Sequence, residues 1–168
     1  RRLAHACSRA TDLAPYLQNL APSLGLIGMT GLSARYAHAL AALFPGSPET
    51  ASLVALNGAL DGDARDRAAA RWLAMQPHTP EAMALLLTGG VRPETKAPLR
   101  HRLTALHPND AEFMNTAGAA AIQAGARIEA TRLLARSLAT RPTASAVGNL
   151  AVLIAQTPSP AARAAVPL

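Results

Sequence analysis

The sequence predicts an all-α fold built as a stack of antiparallel helix pairs, and three observations predict it. Composition is the first. Forty of the 168 residues are Ala and 25 are Leu, whereas the aromatics number five: Tyr16, Tyr36, Phe44, Trp72 and Phe113. Ala and Leu lead the helix scale, and the residues that strands prefer are scarce. The second is a repeated beginning: Phe44-Pro45-Gly46-Ser47-Pro48-Glu49, Gln76-Pro77-His78-Thr79-Pro80-Glu81, His107-Pro108-Asn109-Asp110-Ala111-Glu112 and Arg141-Pro142-Thr143-Ala144-Ser145-Ala146. The leading prolines stand 32, 31 and 34 residues apart, and Leu53, Leu85 and Leu150 each fall eight residues after theirs. The third is a break near the middle of each unit, at Thr30-Gly31, Asp61-Gly62-Asp63, Thr88-Gly89-Gly90 and Ala124-Gly125. Each unit thus reads as helix, short turn, helix, proline. Residues 1–156 form one helical-repeat domain with units at about 13–45, 46–77, 78–108, 109–142 and a partial 143–156.

Each element has a local reason. Helices at 2–10 and 13–28 precede the first repeated junction; the chain starts Arg1-Arg2-Leu3 in mid-helix, without an initiator Met or a basic-then-apolar signal segment, and reads as a piece of something longer. The helix at 32–44 stops before Pro45, because proline has no N–H to donate and its ring clashes with the preceding turn. Ser47-Pro48-Glu49 then starts 49–60: a hydroxyl N-cap, proline at the first helical position, and an acid at the positive end of the dipole. After Asp61-Gly62-Asp63 comes 64–75. Thr79-Pro80-Glu81 repeats the same start for 80–88, and 94–106 follows the glycine pair. Asn109 or Asp110 caps 110–123, Gly125 separates it from 127–140, and Pro142 precedes 144–156. Residues 157–168 carry three prolines and no helical stripe, which reads as a tail or linker.

Residues 111 to 144 resemble a tetratricopeptide repeat, the 34-residue helix–turn–helix unit. Met114, Ala117-Gly118, Ala121, Gly125, Ala130, Leu134, Ser137 and Pro142 fall at that pattern's spacings; Gly118, Gly125, Ala130 and Pro142 match it literally. The earlier units match in outline. The resemblance implies a right-handed α-solenoid of four to five repeats, with the first helix of each unit lining a concave face. It also implies a protein-interaction module or scaffold that binds a peptide or a partner domain there. Small residues at Gly118, Ala121 and Ala130 suit helices that approach closely.

Bulk properties exclude other classes. The net charge is +6, but the arginines are scattered, for instance Arg65, Arg67 and Arg71, then Arg100 and Arg102. Asp61 stands four residues before Arg65, Asp63 four before Arg67, and Glu129 three before Arg132, the pattern of a solvated helix face. No aromatics interleave with the bases, so a stacking platform for nucleic acid is missing. A helical-repeat RNA binder would reveal itself by steep salt dependence. Cys7 is the sole cysteine, which excludes an intrachain disulfide and a thiolate metal cluster. A cytoplasmic setting fits, or a periplasmic one for a processed fragment. The two charge-free stretches, 13–34 and 143–162, are interrupted by Pro, Asn and Gln and do not read as membrane spans. The Ala and Arg bias points to a GC-rich bacterial source.

No catalytic or cofactor constellation emerges. His5, His38, His78, His101 and His107 lack zinc-site spacing. Asp61-Gly62-Asp63 lacks the further ligands of a calcium loop, and Thr88-Gly89-Gly90 lacks the lysine of a phosphate loop. The chain is read as non-enzymatic, without metal or cofactor. An alternative is a substrate- or partner-presenting arm of a larger bacterial enzyme, such as a glycosyltransferase or sulfotransferase.

By the resemblance, the groove-facing positions are Glu112, Asn115, Ala119, Ile122 and Gln123, then Asn149, Leu153 and Gln156. Asn115 and Asn149 stand one 34-residue period apart. Stacked amides can grip a partner's main chain, since each carries donor and acceptor together; ordinary polar residues near solvent would look the same. Glu49, Glu81 and Glu112 form a second column, which either selects a basic partner or simply favours the helix dipole. The paired basic residues that would clamp a terminal carboxylate are missing. Trp72 reads as core.

Overall fold

The structure, a computed structural model, describes residues 20–57 and 60–156. The expected helix at 2–10, the first part of 13–28 and the tail at 157–168 lie outside the described residues. Helical residues 20–26 (α1) are followed by α2 (Thr30–Leu43), α3 (Pro48–Leu56), α4 (Gly62–Met75), α5 (Pro80–Thr88), α6 (Pro93–Leu106), α7 (Ala111–Gln123), α8 (Arg127–Thr140) and α9 (Ala144–Ala155). Among the described residues there is no strand. The fold is all-α and made of helical repeats.

The helix starts follow the capping chemistry written in the sequence. Ser47 Oγ accepts from the Thr50 N–H at 3.2 Å with Pro48 at the first helical position, and Asp61 Oδ1 accepts from Ala64 N at 2.7 Å. Asp110 Oδ1 accepts from the N–H groups of Glu112 and Phe113, and Thr143 Oγ1 from that of Ala146. Each bond satisfies donors that the first helical turn leaves without partners.

Most boundaries fall within two residues of expectation, α4 for instance starting at Gly62 rather than 64, and two places stand out. The break between α1 and α2 is not at Thr30-Gly31, which belong to the first turn of α2; it lies at Gly28, whose φ of +83° favours glycine. The third helix ends at Leu56 rather than at 60. Asn57 turns to extended backbone there, and its side-chain amide donates to Ser33 Oγ at 2.9 Å, a partner 24 residues away.

The chain divides into two compact units, residues 1–82 and 83–168, with the dividing line inside α5. In the described part of the first, α3 packs on α4 and α2 on α3. Leu40, Val54, Ala55, Ala69 and Trp72 are buried there, and Trp72 Nε1 donates to Gln76 Oε1 at 2.9 Å. Trp72 is therefore a core residue. Arg71 of α4 reaches back to the carbonyl of Pro45.

In the second unit α7 packs against α6, α8 and α9. Ala121, Ala130, Leu134, Leu150 and Leu153 form one buried cluster, with Ile122, Ala126, Leu138 and Ile154 against it. Gly118 allows the close approach of α7 and α8: an added Cβ would lie 2.9 Å from Cγ and Cδ2 of Leu134. Every helical residue of the repeat pattern is buried here, from Met114, Ala117, Gly118 and Ala121 to Ala130, Leu134 and Ser137. The Ser137 hydroxyl donates to Ala111 O at 2.7 Å, so its burial leaves no polar atom stranded. Arg136 donates to Pro108 O at 2.9 Å, repeating in the second unit the link that Arg71 makes to Pro45 in the first.

Candidate functional site

The 34-residue spacing of Asn115 and Asn149 places both amides on the same phase of α7 and α9, which pack together. The two meet. Asn149 Nδ2 donates to Asn115 Oδ1 at 2.8 Å, and Asn115 Nδ2 donates to Ser145 Oγ at 2.9 Å. A side-chain amide carries two N–H donors and an oxygen with two lone pairs. The ladder therefore uses about half of its own capacity. One N–H on each asparagine, the Asn149 oxygen and the Ser145 hydroxyl proton remain for another molecule. Both asparagines are half-buried and Ser145 is exposed, so these groups can be reached from solvent. Beneath them lies the packed cluster around Leu134, which fixes the two helices and hence the spacing of the amides.

The other expected groove residues divide into three groups. Ala119 and Ile122 are half-buried on α7 beside the ladder, whereas Gln123 and Gln156 are exposed at the helix ends. Leu153 requires correction: it is 2% exposed and belongs to the core cluster with Ala121, Leu134 and Leu150. It occupies the same phase as Ala119, but a leucine there is long enough to turn inward and fill the core. The acidic column also divides. Glu112 is exposed and already faces a cation, Arg141 Nη2 at 2.5 Å. Glu81 is exposed in the first turn of α5. Glu49 is exposed on α3, where the Ser47 hydroxyl donates to its Oε2 at 2.6 Å and holds its pKa below the usual carboxylate value.

One polar pair was not legible in the sequence. Arg100 of α6 is 4% exposed and makes two bonds to Glu129 at the start of α8, Nε to Oε1 at 3.2 Å and Nη2 to Oε2 at 2.9 Å. The Arg100 guanidinium holds the Glu129 carboxyl below its ordinary pKa against the opposing effect of burial. Glu129 had a nearer candidate in Arg132, three residues away, and Asp61, four residues before Arg65, serves as a helix cap. Among the described residues no three His, Cys, Asp or Glu side chains gather where they could hold a metal ion, and no helix is long and apolar enough to cross a membrane.

No family model matches the chain, and no curated protein matches it. Its structure is similar to the crystal structure of YrrB, described as a TPR protein with an unusual peptide-binding site. The TM-score is 0.70 and the sequence identity 17%, over 92% of this chain and 83% of that one. At that identity the likeness establishes the fold, a tetratricopeptide-like arrangement of helical repeats.

Proposed function

We propose that the chain is a non-catalytic protein-interaction module, and that Asn115 and Asn149 grip the main chain of an extended partner segment. The observation that carries this reading is the ladder itself. Two amides one repeat apart are bonded to each other and anchored by Ser145, and they still hold donor and acceptor groups toward solvent. Peptide main chain presents alternating N–H and C=O groups, which such a row can match. The ladder's internal bonds fix both side chains beforehand, which lowers the ordering cost of binding. A tetratricopeptide-like fold is compatible with this use, and YrrB is described as having a peptide-binding site. The enzyme-arm alternative has no such support.

The test is the double substitution Asn115→Ala, Asn149→Ala. Peptides recovered from a displayed random library on the full chain are titrated against wild type and variant by fluorescence anisotropy. Loss of two net hydrogen bonds, each about 0.5–1.5 kcal/mol, weakens binding by about fivefold to about 140-fold. Unchanged affinity in a variant with wild-type circular dichroism overturns the assignment.

A further inference from the structure

The first unit contains a cavity of about 700 Å³ between α1, α2 and α3, lined by ten residues that include Leu26, Leu53, Leu56, Ser52 and Glu49. Its volume lies in the range of about 300–1,000 Å³ that receives a whole small ligand, and so exceeds one apolar side chain. Three of its polar side chains are already engaged. Asn57 donates to Ser33 Oγ, Ser33 donates to Ala21 O at 2.7 Å, and Ser52 donates to Glu49 O at 2.8 Å. What the cavity presents to an occupant is mainly apolar surface, with Leu26, Leu53 and Leu56 as its largest side chains.

Two features identify the occupant. Leu26 and Leu56 line the cavity yet are 88% and 57% exposed, so they form an open rim. A small molecule sunk between the helices would leave that rim wet, whereas a chain segment laid across it covers the rim as well as filling the floor. Charge is the second feature. On a chain of net +6, the ten lining residues contain one carboxylate, Glu49, and no cation. The Ser47 hydroxyl holds that carboxylate in place at the edge.

We propose that this cavity is a docking socket for a partner segment bearing a pair of bulky apolar side chains next to a lysine or arginine, the apolar pair seated against Leu53 and Leu56 and the cation set against Glu49. The proposal rests on the peptide-binding reading above and adds a side-chain preference, at a place separate from the asparagine ladder. A Leu- or Phe-sized side chain in place of Ala gains about tenfold to a hundredfold in affinity from burial. The exposed charge pair adds about twofold to fivefold.

The experiment pans displayed random dodecapeptides against the full chain as wild type, Ser52→Trp, Glu49→Gln and the Asn115→Ala, Asn149→Ala double variant. Peptides held by wild type carry adjacent bulky apolar residues followed or preceded by Lys or Arg. Ser52→Trp fills the cavity, abolishes the apolar enrichment and weakens a wild-type-selected peptide at least about tenfold. Glu49→Gln, at an exposed position that keeps its bond from Ser47, removes the basic enrichment alone. The double asparagine variant retains both preferences. Wild-type peptides lacking the motif, or a motif that survives Ser52→Trp, overturn the socket while leaving the module reading intact. Recovery of no peptide by wild type overturns both.

Discussion

At Gly118 an added methyl carbon would stand 2.9 Å from two atoms of Leu134, a residue that is itself fully buried. Leu134 cannot retreat without disturbing Ala121, Ala130 and Leu150. Alanine gains about 1 kcal/mol of helix propensity over glycine, but overpacking a filled core costs about 1–3 kcal/mol. Gly118→Ala should therefore lower the melting temperature modestly, and Gly118→Trp should abolish the cooperative transition; unchanged helicity and melting in the Trp variant would refute the packing. The Arg100–Glu129 pair responds differently to the loss of each partner. Glu129→Ala strands a cation that is 4% exposed, and breaking such a pair costs about 3–5 kcal/mol. Arg100→Met leaves a carboxylate that retains 18% exposure, and replaces the buried cation by an apolar chain, so its cost should be smaller. The pH dependence has a definite sign. The folded pKa of Glu129 is lowered, so its contribution is fully present above the unfolded value of about 4.3 and is lost as pH falls through the lower folded value. Melting temperatures of wild type and Glu129→Gln measured from neutral pH downward should converge in acid.

The capped helix starts are written locally in the sequence, whereas the end of α3 is not, and the difference is physical. A cap is local: Ser47, Asp61, Asp110 and Thr143 each bond an N–H group two or three residues on, so the sequence contains both partners side by side. The end of α3 coincides with a distant contact, the Asn57 amide donating to Ser33 Oγ 24 residues away. The same distinction governs the candidate site. Asn115 and Asn149 could be paired from the repeat period, since residues one period apart share a phase. Leu153 could not be separated from Ala119 by phase, because side-chain length decided which of them entered the core. Arg100 found Glu129 across 29 residues, over the nearer partner that helical spacing proposed. The local devices are directly testable. Ser47→Ala removes both the bond to the Thr50 N–H and the one that fixes Glu49, and N-cap losses run at about 1 kcal/mol. Trp72 is the sole tryptophan and is buried on α4, which packs against α3, so its fluorescence follows the unit affected. The unfolding free energy from the fluorescence-detected denaturant transition should fall by that amount; an unchanged value would mean the cap does not stabilise α3.

Among the described residues, seven of the cations are engaged in internal tasks. Arg92, Arg100 and Arg141 face Glu94, Glu129 and Glu112. Arg65, Arg71, Lys96 and Arg136 donate to the backbone carbonyls of Ala55, Pro45, Gly89 and Pro108. The repeated Arg-to-Pro link gives two of these cations one structural role, that of tying a second helix to the junction that opened its unit. A charge of +6 still attracts polyanions, but cations engaged in this way are less available to contact many phosphates at once. A protein neutralising 6–10 phosphates loses about 10³–10⁵ in affinity between about 50 and 200 mM salt. The proposed main-chain hydrogen bonds at Asn115 and Asn149 and the proposed leucine burial beside Glu49 involve at most one exposed charge pair, which screening weakens only slightly. Titration of a selected peptide across that salt range should therefore change its affinity less than about threefold. A labelled single-stranded RNA should show only weak binding that disappears over the same interval. A steep slope for the peptide, or tight RNA binding that persists at the upper salt, would instead assign recognition to the arginines.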